Sequence, residues 1–143
     1  IETRLMLESQ TAFLAAQRAT KDDLVDIEQT IRGMEDTLEQ PDQYLEFDLR
    51  FHLLIARATQ NTILYSMLST TRGYLQEWIK RSLARPAGNG GSARAIQSLQ
   101  EHEHIVTALQ NGAEEEAREA MANHILSSSV DMQTQVIDQE GAE

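Results

Sequence analysis

Hydrophobic positions recur at three- and four-residue steps along the whole chain, and no long segment alternates with period two. That pattern predicts helices and no sheet. Residues 45–61, LEFDLRFHLLIARATQN, carry it most clearly. Phe47, Phe51, Leu54, Ile55 and Ala58 fall at i, i+4, i+7, i+8 and i+11, the spacing of one apolar helical face. Before them, a first helix is expected over about residues 1–19, with Leu5, Ala12, Ala16 and Ala19 along one side. Thr20-Lys-Asp-Asp23 has the form of a capping signal and opens a second helix through Leu24, Ile27, Ile31, Met34 and Leu38. Gln40-Pro41-Asp42 is the next break, with Pro41 tolerated in the first turn of the third helix.

Asn61 is expected to cap a fourth helix carrying Leu64, Met67, Leu68, Leu75, Trp78 and Ile79. The stretch PAGNGGS, 86–92, has the composition of a turn between helices. Ser92 can cap a fifth helix that ends at Gln110, where Asn111-Gly112 is a stop signal. A sixth helix is expected from about Ala113 to Val136, followed by a frayed polar tail. The predicted fold is all-α, an antiparallel bundle of about six helices, with one helical domain over 1–136 and a tail over 137–143.

Composition changes the picture mainly by exclusion. The 143 residues suit a single core. Net charge is −11, from 12 basic against 23 acidic residues, and no basic stripe overrides it, so this chain by itself is not expected to bind nucleic acid. There is no cysteine, which removes disulfides and thiolate metal sites. No apolar run reaches the roughly 18 residues of a membrane span. The chain opens at Ile1 within a helical pattern, which reads as a piece of a longer protein.

The polar residues inside the apolar stripes are more informative. Asp48 and His52 lie one turn apart on the flank of the third helix, where an ionised carboxylate needs a partner. On the fifth helix Ala95, Leu99, His102, Val106 and Leu109 form a buried stripe that includes His102. His104 is about 200° around that helix, beside Gln97, Glu101, Ala108 and Asn111, and is expected to be exposed. On the sixth helix Ala117, Ala120, Met121, His124 and Ser128 face inward. Three of the four histidines therefore point to the core from three helices.

A single buried imidazole is ordinarily neutral and satisfied by a backbone carbonyl. Three of them with an aspartate suit a first-row divalent ion, zinc first, with nickel, manganese, cobalt and iron as alternatives. A second reading is that Asp48 simply accepts a hydrogen bond from His52, with no metal. Other sites fail on pattern. Glu101-His-Glu-His104 has the Glu-x-x-His form of di-iron bundles but falls on the exposed side, and no HExxH, phosphate loop or nucleophile elbow occurs. The acidic run from Ala113 is favourable charge at a helix N-terminus.

The ordered set Asp48-x-x-Phe-His52, Ala58-x-x-Asn61, Glu101-His102 and Ala117-x-x-x-Met121-x-x-His124 resembles the FCD domain. So does the opening, Arg4-x-x-x-Glu8 with the alanines through Ala15-Ala16. The FCD domain is the C-terminal effector-binding domain of GntR-type bacterial transcription regulators of the FadR subfamily. The resemblance covers nearly the whole chain. It implies a helical bundle that holds a divalent metal by Asp48, His52, His102 and His124. It implies an effector of the hydroxy-acid or sugar-acid class beside the metal, with Arg4 meeting its carboxylate; the plainer role for Arg4 is a surface pair with Glu8. A homodimer in the cytoplasm is implied, reaching DNA only through an N-terminal winged helix-turn-helix domain absent from this sequence.

The function expected is effector sensing without catalysis. Two alternatives stay open. One is a metal-dependent hydrolase or lyase, against which no inward general base remains; Glu46, Glu101 and Glu103 do not have inward phases. The other is a metal-free dimerisation bundle, which would tolerate His102→Leu.

Overall fold

The computed structural model describes the backbone of residues 1–83 and 91–140 and the side chains of 1–77 and 93–129. Among the described residues there are six helices and no strand: α1 (Glu2–Arg18), α2 (Lys21–Asp36), α3 (Pro41–Ala58), α4 (Thr62–Leu83), α5 (Gly91–Gln110) and α6 (Glu114–Glu140). The all-α reading and the number of helices agree with the sequence.

Local chemistry sets the boundaries. The Thr20 hydroxyl accepts from the Asp23 amide at 3.1 Å and the Asp23 carboxylate accepts from the Thr20 amide at 3.0 Å, a reciprocal capping box that opens α2. Pro41 stands at the start of α3, where its missing N–H costs nothing. Asn61 caps α4 through its side-chain oxygen, which accepts from Leu64 N at 3.1 Å. Gly112 closes α5 at φ +62°, with Gly112 N on the Leu109 carbonyl and Ala113 N on the Ala108 carbonyl, the paired bonds of a Schellman motif.

Two boundaries differ from expectation. α5 begins at Gly91, so Ser92 lies inside its first turn and not ahead of it, and the rest of the expected turn at 86–92 lies outside the described residues. α6 continues past Val136 to Glu140.

α1 packs against α3, α4, α5 and α6, and its longest interface is with α6. α2 packs on α3 and α5. The core between them comprises Ala12, Ala15, Ile27, Met34, Phe51, Ile55, Ile105, Leu109, Met121 and Ile125, among others. The small residues of α1 and α6 (Ala12, Ala15, Ala117, Ala120) are buried, which lets the two backbones approach closely. The inward stripes of α3, α5 and α6 are as read from the sequence, with two exceptions. Ala108, grouped with the exposed side of α5, is buried, and Met67, grouped with the apolar side of α4, is exposed. The expected inward residues Trp78 and Ile79 lie outside the described side chains.

Candidate functional site

Three helices bring polar side chains to one place in this core. His52 of α3, His102 of α5 and His124 of α6 are all buried, at 1%, 0% and 3% exposure. Asp48 stands one turn before His52. One donor atom from each of these four side chains lies within 4.8 Å of every other. The rings pack edge-on or stacked, with centroids of His102 and His124 4.2 Å apart and those of His52 and His124 5.4 Å apart. Phe51 closes the apolar side, edge-on to both His52 and His102. The four residues proposed from helical phase are therefore brought together. His104 is outside them, exposed and paired with Glu116 at 3.1 Å.

The partner of Asp48 is not the one expected from a simple pair along α3. His52 Nε2 is 3.5 Å from Asp48 Oδ1, whereas His102 Nε2 is 2.8 Å from it. Arg72, on α4, adds a guanidinium contact at 3.4 Å to Asp48 Oδ2. Burial alone would raise the Asp48 carboxyl, but Arg72 first and then the histidines outweigh it and hold it well below the usual carboxylate range.

Arg72 has no part in the sequence expectations and Glu8 only that of a surface partner for Arg4, yet both are buried. Arg72 Nε lies 2.6 Å from Glu8 Oε1, and Arg4 Nε lies 3.1 Å from Glu8 Oε2. The Arg4–Glu8 pair exists, but in the interior and not on the surface. Burial raises the Glu8 carboxyl, and Arg72, His52 and Arg4 together bring it below its ordinary value. A signal was available in the sequence. Arg72 continues the phase of Leu64 and Leu68, and Glu8 shares a face with Ala12, so each charge stands in an apolar stripe.

Glu101 is a correction. Read as facing away, it receives a 2.8 Å hydrogen bond from His124 Nδ1 on the neighbouring helix. Ser127 Oγ donates to its other oxygen at 2.8 Å. Burial would raise this carboxyl, but the His124 and Ser127 hydrogen bonds bring it down to about 2.

The donor set fits a divalent metal ion on two observations. Burial, with Arg72 nearby, pushes His52 down to about 3, and burial beside His102 pushes His124 down to about 4, so both imidazoles are neutral at pH 7 and have a lone pair to give. His102 also has an acceptor close to each ring nitrogen, the Ser98 carbonyl 2.6 Å from Nδ1 and the Asp48 carboxylate 2.8 Å from Nε2, with the Ser98 hydroxyl farther off at 3.4 Å from Nδ1. One ring proton cannot serve both. A second proton or a cation shared by Nε2 and Oδ1 resolves the conflict. Neither ring nitrogen of His52 completes a hydrogen bond, which leaves its lone pair open to a metal ion.

A family model for the FCD domain matches residues 1–127. The chain belongs to the FCD domain family. Among proteins similar to this FCD domain is the L-lactate dehydrogenase operon regulatory protein of Escherichia coli K12, 35% identical over 134 residues, covering 87% of this chain and 47% of that protein. The galactonate operon transcriptional repressor of the same organism is 30% identical over 128 residues, covering 90% of this chain and 54% of that protein. The HTH-type transcriptional regulator LutR of Bacillus subtilis is 29% identical over 126 residues. This FCD domain thus spans about half the length of the curated relatives it matches. Those relatives are regulators, not enzymes, so the hydrolase or lyase alternative has no counterpart among them.

Among solved structures, a Streptococcus agalactiae GntR protein superposes with a TM-score of 0.74 at 28% identity, over 89% of this chain and 55% of that one. The E. coli protein McbR/YncC superposes at 0.77 with 18% identity, a likeness of fold alone. No helix among the described residues is long and apolar enough to cross a membrane.

Proposed function

We propose that this FCD domain senses a small hydroxy acid or sugar acid at a divalent metal ion held by Asp48, His52, His102 and His124, and that the whole protein is a homodimeric, DNA-binding transcription regulator. The observation that carries this reading is the convergence of four donor atoms from α3, α5 and α6 within 4.8 Å, with two buried arginines alongside.

Charge supports an anionic ligand. Arg4 and Arg72 are offset by Glu8 and Asp48, since the histidines His52 and His124 are neutral. A divalent ion added to that balanced set leaves an uncompensated positive charge in a buried place, which is costly until an anion arrives. The metal, when bound, supplies a Lewis-acid position that a carboxylate with an adjacent hydroxyl can chelate. Arg72 and Arg4 are the residues that would meet the carboxylate, by charge-assisted hydrogen bonds. Arg4 is close enough to Asp48 and Arg72 for each charge to act on it. Because the donors belong to three helices, a ligand that binds two arrangements of those helices unequally would shift them against one another.

The names of the relatives point to operons for lactate and galactonate, which agrees with this class of ligand. Calorimetric titration of the metal-loaded chain with lactate, gluconate and galactonate tests the proposal. At least one should bind, and its analogue without the 2-hydroxyl should bind more weakly. Absence of binding by every hydroxy acid to the loaded chain would sink the sensing role.

A further inference from the structure

We propose that Glu101 is a positioning residue that fixes which nitrogen His124 offers to the metal. The proposal rests on the reading of the four-residue cluster as a metal centre. A neutral imidazole has one N–H and one lone pair, and only the bare nitrogen can ligate. A partner that can only accept therefore selects the ligating nitrogen by holding the proton on the other one.

Two of the three histidines have such a partner on Nδ1. For His124 it is Glu101, at 2.8 Å across α5 and α6. For His102 it is the Ser98 carbonyl one turn back, at 2.6 Å. His52 Nδ1 lies 3.3 Å from Glu8 Oε1 of α1, but neither atom completes a hydrogen bond. For His124 and His102, Nε2 is the nitrogen left for the centre, and His102 Nε2 already faces Asp48.

Glu101 is itself aimed. Its Oε1 accepts from Ser127 at 2.8 Å, Gln97 at 3.2 Å and Arg94 at 3.4 Å, which leaves Oε2 for the histidine.

Cobalt(II) titration of the full chain tests this, with affinity from chelator competition and geometry from the visible d–d absorption. Glu101→Ala should weaken cobalt binding about 10- to 100-fold and change the absorption envelope, while the metal-free chain keeps its helicity. Glu101→Gln should recover most of the affinity, because its carbonyl oxygen can accept the same bond. Affinity within about twofold of wild type in Glu101→Ala, with an unchanged spectrum, would overturn the positioning role and leave the metal centre intact. A wild-type chain that takes up no cobalt would overturn the metal centre, and this proposal with it.

Discussion

His102 Nε2 and Asp48 Oδ1 lie 2.8 Å apart across α5 and α3, while the other nitrogen of the same ring faces the Ser98 carbonyl at 2.6 Å. Acceptors on both sides of one imidazole are satisfied together by a second ring proton or by a cation between Nε2 and Oδ1. The carboxylate of Asp48 is in turn held ionised by Arg72, so the cluster keeps its negative donor even though it is buried.

Arg72 is the cation on which Glu8 depends most closely, at 2.6 Å with both side chains buried. Removing one partner of a buried pair leaves the other uncompensated. Arg72→Met should therefore lower the stability of the metal-free chain by about 3–5 kcal/mol in urea denaturation. A loss under about 1 kcal/mol would mean that Arg4 alone satisfies Glu8.

The metal-free chain should lose stability as pH falls from about 6.5 toward 4. His52 and His124 have folded values near 3 and 4 against an ordinary 6.5, so through that window the unfolded chain binds more protons than the folded one. Their contribution is present above 6.5 and is lost on acidification. The lowered carboxyls of Asp48, Glu8 and Glu101 extend the loss below their ordinary values. Thermal melts from pH 7.5 to 4.5 measure it, and a Tm that rises on acidification would contradict the buried, neutral state of these rings.

Gly33 of α2 faces Phe47 of α3, and a methyl group added there would overlap the phenyl ring. Alanine gains up to about 1 kcal/mol of helix propensity, but overpacking costs about 1–3 kcal/mol. Gly33→Ala should thus be net destabilising by about 1 kcal/mol. In a Phe47→Leu background the same change should turn neutral or stabilising, so a double-mutant cycle should show strong coupling.

Gly112 stands at φ +62° in the turn between α5 and α6, with only the Ala16 carbonyl at ordinary contact distance. Space is available, so the cost of a side chain is conformational. Gly112→Ala should cost about 1 kcal/mol and Gly112→Asn less. Equal stability of the three proteins would place the left-handed turn in doubt.

The helices and their inward faces were legible because burial repeats with the helical period: the capping box at Thr20 and the cap at Asn61 needed only local spacing. The four cluster residues were legible because each histidine stands in an apolar stripe. Glu101 was not, because its partner His124 belongs to another helix and periodicity carries no information on which flanks meet. Arg72 and the burial of Glu8 are legible in principle, since each charge interrupts an apolar stripe. Periodicity alone does not separate them from the charged side chains that are ordinarily solvated on a helix.

Metal content of the purified chain beside an Asp48→Ala, His102→Ala double variant is the most direct measurement. Both proteins are incubated with zinc, nickel or manganese, dialysed, and assayed by elemental analysis. The account predicts about one divalent ion per wild-type chain and none above background in the variant. No retained metal in the wild type under any of these conditions would contradict it.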